Sequence, residues 1–281
     1  MEKSSFLRNK LVIGGIVVIA LLSFGWYLSS LDGRIAIVTS GAVMPTNTEI
    51  STTATITPIA PTEATVAPST LAPQAEQARA FTEPILQAIA NRTPEVEDDF
   101  SFDNGNWSTG VIGQNSAQIA DGMLQLTVND AVGDTWMGSR HEAMSADDFV
   151  VQFDVRIPVM EFDSHLSILW RWLPSDNSSY WLTLFPSLNG AWSLGGAGNN
   201  FFQAANGNLD FIRLGEWFTV TIIGQGNHFA ALINDQPLGD FEDTTRPVGR
   251  VVLGMNIFSG DAIAEFDNVK YWNLANVPGL P

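Results

Sequence analysis

The sequence predicts an all-β domain, a sandwich or barrel of many short strands, from Glu97 to the C-terminus of the 281-residue chain. Three observations predict it. Short runs of alternating apolar residues recur between clusters of Gly, Asn, Asp and Pro, as strands and turns require. No stretch in this part sustains a helical period. The run "ALINDQPLGDF" reads as a hairpin, with Asn234-Asp235 supplying the tight turn.

The elements before the domain follow in order. Residues 1–10 carry Lys3, Arg8 and Lys10, and Leu11 to Leu28 then form 18 residues without a charge. As a helix this run spans about 27 Å, close to the apolar thickness of a bilayer. Trp26 and Tyr27 fall at its far end, where amphipathic rings favour the interface. A transmembrane signal-anchor over 11–28 is expected, with the N-terminus inside and the remainder of the chain outside the cell membrane. A cleaved signal peptide fits less well, because "LSSLDGR" is a poor small-residue cleavage pattern. Residues 29–73 are rich in Thr, Pro, Ala and Ser and read as a disordered stalk. Residues 74–96 hold a short helical spacer, capped by Thr82 with Glu83 and Pro84 in its first turn. Its stripe of Ile85, Leu86 and Ile89 is expected to dock on the domain that follows.

Within the domain, the runs read as strands are "GMLQLTV", "DFVVQFDVRI", "HLSILWRW", "SYWLTLFP", "EWFTVTIIG", "HFAALIND", "GRVVLGMNIF" and "IAEFDNVKYW". The glycine-rich "GGAGNN" at 195–200 reads as a loop. Charge narrows the function. The net charge is −17, and from Glu97 onward there are 23 Asp/Glu against 7 Lys/Arg. A surface of that sign repels phosphate backbones, so nucleic acid is not an expected partner. The chain has no cysteine, which removes disulfides, thiolate metal sites and cysteine nucleophiles. His141, His165 and His228 show no metal-ligand spacing. No nucleophile elbow, phosphate loop or dinucleotide fingerprint is present.

Several stretches carry a resemblance: "DDFSFDNGNWS" and "ADGMLQLTV" at the start, "FVVQFDVRI", "SYWLTLFPSLNGAWSL", Gly215-Glu216-Trp217 opening a strand, and Phe266-Asp267-Asn268-Val269 in the last one. Their order over roughly 97–274 resembles concanavalin A-like sandwich domains, nearest to laminin G-like modules and the 3-keto-disaccharide hydrolase family. It also resembles the extracytoplasmic parts of anchored bacterial surface proteins. The resemblance implies an all-β, concanavalin A-like jelly-roll β-sandwich, preceded here by one transmembrane helix, a disordered stalk and a short helix. It also implies a carbohydrate-facing function, but no reaction by itself.

The tripeptide Glu-Phe-Asp occurs twice, at 161–163 and 265–267. Retaining glucanases of the resembled fold use Glu-x-Asp followed by a second Glu, because a retaining pair needs two carboxyl groups about 5–5.5 Å apart. Here the fourth and fifth positions after Glu161 are His165 and Leu166, and those after Glu265 are Val269 and Lys270. The motif is incomplete in both copies. Glu161 and Asp163 are expected on a loop, and Glu265 and Asp267 on the face turned away from Phe266 in the core.

Eight of the nine tryptophans fall in the domain. Indole faces stack on the apolar C–H faces of sugars while polar side chains take the hydroxyls. Alternation turns Gln152 and Asp154 outward on their strand, Arg171 outward opposite Leu166, Ile168, Trp170 and Trp172, and Trp181 opposite Tyr180 and Leu182. Gln152, Asp154, Arg171 and Trp181 are therefore the expected ligand-binding patch. The competing reading makes Asp154 and Arg171 a cross-strand charge pair and most tryptophans core. Asp99 and Asp267 are the candidates for a structural calcium between the first and last strands. Noncovalent binding of a glycan or another surface ligand is the expected function, with a sugar hydrolase and a structural or adhesion module as alternatives.

Overall fold

The computed structural model describes residues 73–175, 178–197 and 201–280. The expected membrane anchor at 11–28 and all of the expected stalk except Pro73 lie outside them. Among the described residues, no helix is long and apolar enough to cross a membrane.

Helix α1 spans Pro73–Ile89 and buries Ala75, Ala78, Thr82, Ile85 and Ile89. That stripe repeats every three or four residues, as a helix packed along one side must. The helix begins about two and a half turns earlier than its capping signals suggest, at Pro73 rather than after Thr82. Thr82 is interior and buried, its hydroxyl bonded to the Arg79 carbonyl, and Pro84 also lies inside the helix. Pro84 removes one main-chain bond, and packing of the stripe outweighs that loss.

The strands are β1 (Val96–Asp98), β2 (Gly110–Ile112), β3 (Asn115–Ala120), β4 (Met123–Ser139), β5 (Phe149–Met160), β6 (His165–Leu173) and β7 (Ser178–Phe185). Then come β8 (Ala191–Ala197), β9 (Phe202–Asn208), β10 (Phe218–Gln225), β11 (His228–Ile233), β12 (Gln236–Glu242) and β13 (Arg250–Asn273). They form one antiparallel hydrogen-bonded path, β12-β11-β10-β5-β13-β6-β7-β8-β9, with β4 and β1 also on β13. The path folds into two layers at β13. Its residues Arg250–Asn256 pair with β6, and Ala262–Asn273 pair with β5. β4 runs beside both stretches, with register shifts between Ile257 and Ser259 and between Gly260 and Ala262. The left-handed Asp130 (φ 50), Gly133 (φ 82) and Gly260 (φ 66) bend the pair there.

The inner faces of the two layers share one core. Phe153, Val155, Val220 and Phe229 of one layer meet Leu166, Ile168, Trp170, Tyr180 and Leu182 of the other. The architecture is thus the β-sandwich that the sequence predicts. The terminal strands pair, Val96 opposite Tyr271. Asn234 (φ 48) and Asp235 (φ 61) both take the left-handed form that a two-residue hairpin demands.

Three expectations are corrected. The two closing runs, 249–258 and 263–272, are one strand. Gly195, Gly196 and Ala197, read as loop, belong to β8; β8 and β9 escaped notice because small residues leave no alternation to see. Arg171 is not an outward residue. It adopts φ 49 at a break in the β6–β7 register, and that bulge turns it inward. Its guanidinium donates to the carbonyls of Ala146, Asp147, Gly226 and Arg246 at 2.6–2.8 Å and lies over the Phe229 ring. It ties three loop segments, around Ala146-Asp147, Gly226 and Arg246, together across one end of the sandwich. The same bulge swings Trp172 out of the inner row.

Arg171→Met would leave four carbonyls unpartnered in a dry site. Unfolding by urea should show a loss of about 3 kcal/mol or more, the scale of removing one partner from a buried charged network; a loss below about 1 kcal/mol would contradict this role.

Candidate functional site

The two outer faces of the sandwich differ in chemistry. On the layer of β5 and β10, Val150, Ile223, Leu232 and Trp272 are covered by Ile85 and Ile89 of α1, so the helix docks as its apolar stripe predicts. Beyond the helix the polar residues satisfy one another. The Gln152 amide donates to the Thr221 hydroxyl, and Asp154 accepts from Thr219 and Asn268. Arg156 pairs with Glu265 at 2.6 Å and stacks on Trp217. Glu265 is only 7 % exposed and also accepts from Gln125.

The four expected patch residues are therefore not brought together. Gln152 and Asp154 sit on this first outer face, Arg171 is buried at the end of the sandwich, and Trp181 lies on the opposite outer face. Alternation along each strand does turn Gln152, Asp154 and Trp181 away from the shared core, as expected. What it could not supply is which layer each strand joins. Glu161 and Asp163 lie on the β5–β6 loop, as expected, where Asp163 accepts from Ser164 and Ser259.

The calcium candidates approach one another without forming a cage. Asp98, rather than Asp99, is the buried acid of the first strand: it accepts from the Phe100 amide, Asn104 and the Trp107 indole. Asp99 accepts from the Ser101 amide and Asp267 from the Asn268 amide. Among the described residues no group of three acidic, histidine or cysteine side chains converges. Burial raises the Asp267 carboxyl above its ordinary value, helped by the charges of Asp154 and Asp99.

The second outer face, on β9-β8-β7-β6-β13-β4, is a trough. Pairing lines up Gly138, Gly254, Ser167, Thr183, Ser193 and Asn206 in one row across all six strands. Opposed residues share a face, and their strand neighbours Met137, Leu253, Ile168, Leu182 and Leu194 are core, so this row faces out. Trp136, Asn256 and His165 form the next row on one side. Val252, Leu169 and Trp181 form the next row on the other. Larger residues thus flank a floor of small ones. A Cβ on Gly254 would lie 2.4 Å from the Trp136 indole: glycine is needed there so that the ring can lie over the floor. Trp136 is 43 % exposed, and Trp181 stacks on the exposed Phe201 with ring centres 5.9 Å apart.

Among the described residues, two polar atoms in the Trp136 row have no protein partner, His165 Nδ1 and Asn256 Oδ1, and both are buried. Buried polar atoms are normally paired, so these two are unsatisfied groups just beneath this face. The His165 ring lies against Phe185 and Phe258, and burial pushes its pKa down to about 4. Sequence reasoning missed Trp136, His165, Asn256 and Phe201. The alternation Trp136, Gly138, Arg140 against Met137, Ser139 was present as a signal, but the glycines and Asp134 masked it.

No family model matches the chain, and no curated protein matches it. Solved structures that it is similar to include the carbohydrate-binding module CBM66 from Bacillus subtilis, 18% identical, covering 60% of this chain and 96% of that one at a TM-score of 0.46. A β-glucanase from Bacillus licheniformis is 11% identical, with 65% and 100% covered at 0.49. A β-1,3-1,4-glucanase from a mouse hindgut metagenome is 13% identical, with 63% and 98% covered at 0.49. Likenesses of this size carry no argument about what the chain does, and the reading below stands on its own residues.

Two pH effects follow. His165 takes a proton less readily folded than unfolded, so its contribution to stability is complete above about pH 6.5 and is lost as pH falls toward 4. His165→Phe should therefore lose less stability than the parent chain between pH 6.5 and 4 in urea titrations, and equal losses would refute the assignment. Asp267 has the opposite sign: its ionised form is disfavoured in the fold, so stability falls as pH rises through its raised pKa. Asp267→Asn should be more stable at pH 7, by roughly 0.5 kcal/mol for a partly exposed group, and the gain should vanish below pH 3.8.

Proposed function

We propose that this domain binds saccharide noncovalently in the trough on the outer face of β4, β6–β9 and β13. The observation that carries the reading is the Trp136 row: a half-exposed indole beside two buried, unpartnered polar atoms, His165 Nδ1 and Asn256 Oδ1. An indole gives a flat apolar platform for a sugar ring, and a shift of the Asn256 or His165 side chain toward the surface would offer the unpartnered pair to ring hydroxyls. Across the floor, the exposed Phe201 ring, backed by the buried Trp181, offers a second platform. The floor is main chain and short side chains, so a polymer can lie across the strands without displacing anything. At the six outward positions of the floor row the side chains are Gly, Ser, Thr and Asn, which supply hydrogen bonds rather than proton transfer. The N-terminal sequence supports a further part of the reading, that residues 11–28 anchor the chain in the cell membrane and residues 29–72 hold the domain outside it.

Titration of the detergent-solubilised chain with a panel of polysaccharides, read by tryptophan fluorescence and alongside a reducing-sugar assay, tests this. Saturable binding without released sugar is expected. Trp136→Ala and Trp181→Ala should each weaken it by roughly tenfold or more, as loss of an aromatic anchor does, with thermal melting confirming a folded variant. Release of reducing sugar would replace the reading with hydrolysis; the absence of binding to every polymer would leave an adhesion or scaffolding role.

A further inference from the structure

The same outer face ends, beyond Val252 and Leu169, in a cavity of about 350 Å³ lined by Arg140, Arg250, Trp172, Glu142, Asp147 and the Gly249 main chain, among others. That volume is at the small end of ligand sites, which run from about 300 to 1,000 Å³. Three local features build it. The left-handed Arg171 turns Trp172 out of the core. Arg250 pairs opposite Trp172 across β13 and β6. Arg140 follows Ser139 at the end of β4, two positions along from Gly138 in the trough.

Its electrostatics are unusual for this chain. Most of the seven basic residues from Glu97 onward are occupied elsewhere. Arg156 is paired with Glu265, and Lys270 lies 3.7 Å from Glu97. Arg171 is held by four carbonyls, and Arg213 by the carbonyl of Asp210. Arg246 is held by Thr245 and the Ala197 carbonyl. The two that remain share this cavity. Among the described residues Arg250 has no carboxylate at ion-pair distance; it donates to the Glu142 main-chain carbonyl. Arg140 has one, Glu142 at 3.6 Å, with the two side chains 38 % and 64 % exposed. So open a pair holds weakly and can be exchanged. The acids of the cavity, Glu142 and Asp147, are exposed at its rim, while both arginines are half-buried. A chain of net charge −17 thus keeps two under-paired guanidinium groups beside an indole. Guanidinium is the fork that fits a planar or tetrahedral oxyanion through paired N–H bonds.

We infer that this end of the trough selects an anionic sugar unit, its ring against Trp172 and its carboxylate or sulfate on Arg140 and Arg250. The inference rests on the reading of this face as a saccharide site and names the class of saccharide it prefers. The two oxyanions share one chemistry here, and the experiment separates their sources.

Affinities of the detergent-solubilised full chain for polygalacturonate, dextran sulfate and neutral dextran and β-glucan, at about 0.15 M salt, test it. At least one anionic polymer should bind roughly tenfold tighter than the neutral ones, a gain typical of charge-assisted hydrogen bonds. Which one does so identifies the oxyanion. Arg140→Gln should reduce that preference to near unity and leave neutral binding intact, whereas Glu142→Gln, which frees Arg140, should increase it several-fold. Arg250→Gln is the secondary variant, since its bond to the Glu142 carbonyl also supports the fold. Equal affinity for anionic and neutral polymers, or an Arg140→Gln variant with unchanged preference, overturns the inference while the saccharide reading stands. No binding to any of the four removes both.

Discussion

β13 is the constraint on which the rest of the structure depends. It is the only described strand hydrogen-bonded along its length to partners in both layers, to β6 by its first half and to β5 by its second, with β4 beside both. One continuous chain of 24 residues therefore fixes the register of every strand that follows outward from it. A slip of one residue would exchange core and surface positions throughout a layer. Phe266, Ala264, Ile257, Met255 and Leu253, all fully buried, make that exchange costly. The bend at Gly260 is what lets the same strand serve two sheets.

That register divides the surface. Glu265 and Asp267 are sent to one outer face, and Gly254 and Asn256 to the other. The first face answers each polar group from within. The Arg156–Glu265 pair, stacked against Trp217, and the Asp154–Thr219–Asn268 mesh pair their polar groups with one another, and α1 covers the apolar Val150, Ile223, Leu232 and Trp272. The other face is left with a floor of small side chains, exposed rings and atoms without partners. The asymmetry is physical. One face has been made part of the stable structure, and the other retains unsatisfied chemistry that a ligand can meet.

The Arg171 bulge links stability to the site. Turning one arginine inward closes an end of the sandwich on four carbonyls and gives the interior a cation facing the Phe229 ring. The same local twist puts Trp172 on the surface at the end of the trough. A bulge beside a binding surface commonly re-aims a side chain in this way. Here the cost of a left-handed arginine is offset by the bonds its guanidinium makes.

The sequence by itself determined the class of fold, the hairpin at Asn234-Asp235, the docking stripe of α1 and the outward Gln152 and Asp154 of β5, because each is a local pattern of period or turn chemistry. It also placed Trp181 outward and Glu161 and Asp163 on a loop. Only the tertiary structure decided which outward residues share a face. Alternation tells in from out along one strand, but the layer a strand joins depends on pairings between residues a hundred positions apart, such as Gln125 with Glu265 or Gly254 with Ser167. The same limit hid Arg171, whose single left-handed residue inverts the alternation after it, and hid Trp136, whose neighbours Gly138 and Gly254 carry no hydrophobic signal. Short side chains are silent in a sequence pattern, and in this fold they form the floor on which the site is built.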